Sequence, residues 1–114
     1  MTGIYIHVPF CKRKCPYCDF YSVCRPDLYE DYTQAVCRNI EAFKGRDIKC
    51  DTIYFGGGTP SVLSAEQVDR IIDTAGKCFE LCEPEITLEA NPSSVDMEKM
   101  SGWRKAGVTR LSFG

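Results

Sequence analysis

A chain of 114 residues holds one domain's worth of core at most and is short for a multi-layered enzyme. Its 44% hydrophobic and 26% charged residues are ordinary for a soluble globular protein. A formal net charge of -2 lacks the basic footprint of phosphate-backbone binding, so no nucleic-acid partner is expected.

Residues 3–9, GIYIHVP, alternate as a short strand does. Ile4, Ile6 and Val8 share one face, while Tyr5 and His7 share the other. The next stretch, CKRKCPYCDF, puts Cys11, Cys15 and Cys18 within eight positions. From Asp27 to about Lys44, Leu28, Tyr32, Ala35, Val36, Ile40 and Phe43 recur at helical spacing, with Gly45 as a stop. DTIYF, 51–55, is a second strand ended by GGGTP. Ser64-Ala-Glu-Gln67 has the form of a capping box, and Val68, Ile71, Ile72, Ala75 and Phe79 continue a helix from it.

EITLEANP, 85–92, is a third strand stopped by Asn91-Pro92. Ile86, Leu88 and Ala90 face one way; Thr87, Glu89 and Asn91 face the other. A third helix is expected from Ser94 to Ala106, with Met97, Met100 and Trp103 as core candidates and Gly107 at its end. TRLSF begins a fourth strand. Such an alternation predicts an α/β fold of parallel strands with crossover helices. Because no helix follows the last strand, half of a parallel barrel fits better than an open sheet. We therefore expect residues 1–114 to be the N-terminal part of a longer protein.

Eight cysteines in 114 residues fall just short of a disulfide-scaffold composition. The opening MTGIYIHVPF lacks the features of a secretory leader, and no apolar run nears the roughly 20 residues that span a bilayer. The expected location is therefore the cytosol, where clustered cysteines more often bind metal or do redox chemistry than form staples.

Functional loops of α/β proteins follow the carboxyl ends of the strands. Here those loops carry the cysteine cluster, GGGTPS and the EANP turn, so all three fall on one rim. A zinc site wants four ligands, usually in paired motifs, whereas this loop offers three cysteines; the single histidine, His7, lies on the preceding strand. Three thiolates on a short loop suit a 4Fe–4S cluster with one iron left open to a ligand. A zinc-binding or structural module is the alternative. Lys12-Arg13-Lys14 is either a solvated loop face or an electrostatic tuner of the site.

CxxxCxxC is the signature of the radical S-adenosylmethionine (SAM) enzymes. With it, YIHVPFCKRKCPYCDF, FGGGTPS, ITLEANP and GVTRLSFG resemble, in order, the N-terminal half of the oxygen-independent coproporphyrinogen III oxidase family, which includes the HemW-like heme chaperones. The resemblance covers essentially the whole chain.

It implies the N-terminal portion of a radical SAM partial (β/α) barrel, occupying 1–114. One electron into the cluster would split the sulfonium of SAM to a 5′-deoxyadenosyl radical, the cofactor supplying the hard chemistry and the protein positioning it. By this resemblance Cys11, Cys15 and Cys18 ligate the cluster, and Tyr5, Gly57 and Glu89 match SAM-binding positions. Tyr17, Gly58 and Thr59 match contacts to a second SAM in the oxidase branch. The implied partners are SAM, heme or a porphyrinogen, and an electron donor such as flavodoxin or ferredoxin. Phe20 stands where the oxidase branch has a further cysteine, which favours the heme-chaperone branch and weakens the second SAM site.

Each of these residues also has a plainer reading. The glycines could be a simple turn, Glu89 could pair with Arg110 inside the barrel, and Tyr5 and His7 could fill the interior. Cys24, Cys37, Cys50, Cys78 and Cys82 read as packed or half-exposed thiols rather than a second cluster.

Overall fold

The computed structural model describes residues 1–10 and 26–113; Cys11, Cys15, Tyr17, Cys18 and Cys24 lie outside the described residues. Four strands form one sheet in the order β1-β2-β3-β4, every neighbouring pair parallel: β1 Thr2–Val8, β2 Lys49–Gly57, β3 Glu80–Ala90 and β4 Arg110–Phe113. Three helices connect them: α1 Tyr29–Glu41, α2 Ala65–Cys78 and α3 Met97–Ala106. Strand order that follows chain order is what a parallel half-barrel requires.

Side-chain alternation separates the sheet into two faces. Ile6 and Val8 of β1, Ile53 and Phe55 of β2, and Ile86 and Leu88 of β3 are buried in one core with Ile40 of α1, Val68, Ile71, Ile72 and Ala75 of α2, and Trp103 of α3. Burying each large side chain contributes about 1.5–3 kcal/mol relative to leaving it in water. The opposite face carries Tyr5, His7, Thr52, Tyr54, Thr87, Glu89, Arg110 and Ser112, in line with the alternation of the sequence.

Local signals set the helix ends. Ser64 and Gln67 form the expected capping box: the Gln67 N–H donates to Ser64 Oγ at 3.1 Å, and the Ser64 N–H donates to Gln67 Oε1 at 3.0 Å. Gly107 closes α3 in the left-handed region (φ 119°), letting the Val108 N–H reach the Trp103 carbonyl at 3.0 Å.

Some expectations change. Helix α1 ends at Glu41 rather than Lys44, giving way to a turn that leads to Gly45 at φ 87°. The third helix starts at Met97, because Pro92–Ser94 forms a short 3-10 turn and Asp96 caps α3 through Lys99 N–H at 2.7 Å. Met97 and Met100 are not core residues: they are 81% and 38% exposed, and Trp103 alone of the three is buried. Strand β3 begins at Glu80, five residues before the expected 85, since Glu80 and Leu81 already pair with Lys49 and Cys50. An irregularity opposite Cys50–Thr52, with Glu83 at φ 44°, then hides the early segment from a simple alternation count.

Candidate functional site

The carboxyl ends of β1, β2 and β3 converge on one rim. Two residues beyond the end of β1, Phe10 is buried and packs tilted on Tyr29 and edgewise on Tyr32, with ring centroids 4.8 and 5.3 Å away. The Tyr32 hydroxyl donates to the His7 carbonyl, and burial pushes that phenol's pKa well above its ordinary value. The residue preceding the first cysteine of the loop is thus anchored to α1.

The glycine run is stitched to the same strand end. Gly58 N–H donates to the Val8 carbonyl at 2.8 Å and Thr59 N–H to the Phe10 carbonyl at 2.5 Å. A Cβ at Gly58 would lie 2.3 Å from the Phe10 carbonyl oxygen, and Gly57 sits at φ 108°, where other residues are strained. More than a plain turn is therefore built here: the backbone passes where side chains are excluded.

Register then assembles the polar face. Tyr5 lies opposite Tyr54, and their rings stack with centroids 5.9 Å apart at 12°. Tyr54 pairs with Thr87, which places Glu89 one pleat further toward the rim. Among the described residues two donors hold the Glu89 carboxylate: Tyr54 Oη at 2.7 Å to Oε2, and Gly57 N–H at 3.1 Å to Oε1. The bond to Glu89 and partial burial raise the Tyr54 phenol pKa, against a smaller opposing hydrogen bond from Ser112. A carboxylate accepts about four hydrogen bonds, so Glu89 keeps roughly half its capacity beyond these two. The expected alternative, a Glu89–Arg110 pair, is corrected: Arg110 lies opposite Thr87 and bridges Glu85 at 3.2 Å.

Thr59 and Gly58 also line a cleft of about 220 Å³ with Pro60, Glu89, Ala90, Asn91 and Ser112. Its floor is tied together by Asn91 N–H donating to buried Ser61 Oγ at 3.0 Å, and by Lys99 Nζ donating to the Ser61 carbonyl at 2.9 Å. The rim thus brings together Gly57, Gly58, Thr59 and Glu89, with Tyr5 and His7 on the same face of the neighbouring β1. His7 lies against Gly57, where a Cβ would come 2.7 Å from its ring.

Of the other thiols, Cys50 and Cys78 are buried and Cys37 and Cys82 half-buried, all free. Cys50 and Cys82 stand at the starts of β2 and β3, the end of the sheet opposite the rim. Among the described residues, no helix is long and apolar enough to cross a membrane.

Tyr54 went unnoticed in the sequence. Its signal was the alternation of DTIYF, which sets it on the face of Tyr5 and Glu89, where a half-buried phenol needs an acceptor.

A parallel β/α half-barrel with glycines and a held carboxylate on its carboxyl rim defines a class of protein. The Radical SAM superfamily model matches residues 5–114, and the chain belongs to that superfamily. Among curated proteins it is similar to "Heme chaperone HemW" of Escherichia coli, 39% identical over 98% of this chain and 31% of that one. "Heme chaperone HemW" of Haemophilus influenzae is 40% identical over 98% of this chain and 32% of that one. A solved structure of coproporphyrinogen III oxidase (HemN) from Escherichia coli, titled a radical SAM enzyme, superposes with a TM-score of 0.78. It is 29% identical and spans 98% of this chain and 27% of its own. The chain thus covers about a third of the length of the curated relatives it matches.

Membership implies SAM and a 4Fe–4S cluster. The described residues fit SAM: a carboxylate with acceptor capacity to spare stands beside side-chain-free backbone, which suits a ligand bearing an ammonium group and hydroxyls.

Proposed function

We propose that residues 1–114 are the N-terminal part of the radical SAM core of a HemW-like heme chaperone acting in the cytoplasm. In this reading Cys11, Cys15 and Cys18 hold the 4Fe–4S cluster, while Tyr5, Gly57 and Glu89 hold SAM. When bound, the cluster supplies one electron to the SAM sulfonium. The chain's own residues bind and orient. Glu89 accepts from the ligand, Gly57 offers side-chain-free backbone beside it, and the Phe10–Tyr29–Tyr32 cluster fixes the point where the cysteine loop begins. Heme, and a flavodoxin- or ferredoxin-like electron donor, are the proposed partners of the longer protein.

The observation that carries this reading is Glu89, doubly bonded yet with acceptor capacity left, beside the glycine turn at the strand ends. Its chaperone half rests on the heme-chaperone relatives and on Phe20 in place of a further cysteine. The second reading, a coproporphyrinogen oxidase producing protoporphyrinogen, is favoured by the HemN likeness. In that case Tyr17, Gly58 and Thr59 would contact a second SAM, and the cleft beside Thr59 is the feature that suits it.

Glu89→Gln tests the SAM site. The amide oxygen can keep the Gly57 N–H, and the amide NH2 can donate to the Tyr54 hydroxyl, which turns from donor to acceptor. Folding is therefore retained while the charge is lost. Removing a charge-assisted contact of roughly 1.5–3 kcal/mol weakens SAM binding by about ten- to hundredfold. The assay is SAM titration of the cluster-reconstituted full-length protein, read from the paramagnetic resonance of the reduced cluster. Unchanged affinity would make Glu89 a structural residue.

A further inference from the structure

We infer that Tyr54 is a positioning residue for SAM, acting through Glu89; the inference rests on the proposal that Glu89 contacts SAM. Tyr54 does not face a ligand through its hydroxyl, because that group is committed to Glu89 Oε2 at 2.7 Å. Its ring is fixed by stacking on Tyr5 across the β1–β2 register. A glutamate's last torsion is broad and two-fold, so a carboxylate held by one bond can still swing about Cγ–Cδ. Held by Gly57 N–H on one oxygen and Tyr54 Oη on the other, its plane is set. The acceptor sites left over then point in defined directions before any ligand arrives, and preorganisation of this kind strengthens binding by removing an ordering cost.

The two donors also differ in what mutation can do to them. Gly57 contributes a backbone N–H that no substitution other than proline removes, whereas the Tyr54 hydroxyl can be deleted alone. Tyr54→Phe keeps the ring, its stacking on Tyr5 and its place in the sheet. One oxygen is lost.

The experiment is a double-variant cycle on the full-length, cluster-reconstituted protein, comparing wild type, Tyr54→Phe, Glu89→Gln and both together. SAM affinity is read from the perturbation of the reduced cluster's resonance. Tyr54→Phe is expected to weaken SAM binding by about three- to tenfold, the worth of one hydrogen bond, with the saturated spectrum unchanged. In the Glu89→Gln background the same change should alter affinity by less than about twofold, because the group it positions has gone. An equal loss in both backgrounds would show that Tyr54 acts independently of Glu89 and would overturn the inference. So would wild-type affinity in Tyr54→Phe while Glu89→Gln binds weakly, or failure of Tyr54→Phe to fold or hold its cluster. If Glu89→Gln alone leaves affinity unchanged, the SAM site itself is wrong and the inference goes with it.

Discussion

Gly58→Ala puts a methyl group where the backbone of another strand already lies. The new Cβ would stand 2.3 Å from the Phe10 carbonyl oxygen, 3.0 Å from its carbon and 3.1 Å from the Val8 carbonyl oxygen. Reaching an ordinary 3.4 Å contact from 2.3 Å requires a separation of about 1.1 Å, and both neighbours are main chain, which cannot turn aside as a side chain can. That movement breaks the bonds from Gly58 N–H to Val8 and from Thr59 N–H to Phe10. Two hydrogen bonds at about 0.5–1.5 kcal/mol each, plus overpacking of about 1–3 kcal/mol, give roughly 2–6 kcal/mol. Most of it falls on the seam between β2 and the end of β1, next to the first cysteine of the loop. The assay is a pair of measurements on reconstituted full-length protein: the urea unfolding midpoint, and iron and sulfide bound per chain. Both should fall. Gly76→Ala is the matched control, because its Cβ would meet nothing nearer than Leu81 Cδ1 at 3.6 Å. In the last turn of α2 it should stabilise by less than about 1 kcal/mol through helix propensity. If Gly58→Ala kept the wild-type midpoint and iron content, the seam would not be tight and the reasoning would fail.

Cys11→Ala, Cys15→Ala and Cys18→Ala should each abolish the broad visible absorption of the reconstituted cluster, whereas Cys78→Ala and Cys82→Ala should leave it intact. Loss with Cys78→Ala but not with Cys15→Ala would reverse the ligand assignment. Ser64→Ala removes the acceptor for the Gln67 N–H and should lower unfolding free energy by about 1 kcal/mol without affecting SAM binding. A change in SAM affinity there would mean that α2 is coupled to the rim.

Strand alternation and helix periodicity made most of the fold legible, because one face of each element is apolar and the other is not. The capping box at Ser64 and the glycine at 107 were readable because their geometry is local. Where the reading slipped, the deciding interaction was not local. Periodicity assigned Met97 and Met100 to the core, yet only the neighbours of a helix determine how wide its buried stripe is, and α3 buries little beyond Trp103. The early start of β3 depends on pairing with Lys49 and Cys50 across an irregular register, which no single segment encodes. Likewise Arg110 and Glu89 share a face, but the β3–β4 register decides that Glu85 is the residue within reach.

The site shows the same division between residue and register. Gly57 and Glu89 stand 32 positions apart and read from the sequence as two separate contacts, yet one hydrogen bond joins them. Because the Gly57 N–H is spent on Glu89, that glycine can meet a ligand only through its carbonyl or its bare Cα. Tyr54 belongs to the same unit through the other carboxylate oxygen, and Tyr5 through its stacked ring. Residues from three parallel strands thus make one object, and its parts should not respond independently to substitution. The arrangement also accounts for the crowding at Gly56, where a Cβ would strike Tyr5 Oη at 2.7 Å, Tyr54 Cε1 at 2.9 Å and Glu89 Oε1 at 3.0 Å. A side chain there would not block a ligand directly. It would push Tyr5, Tyr54 and Glu89 apart, so the first glycine of the run serves the carboxylate while the third serves the packing against Val8 and Phe10.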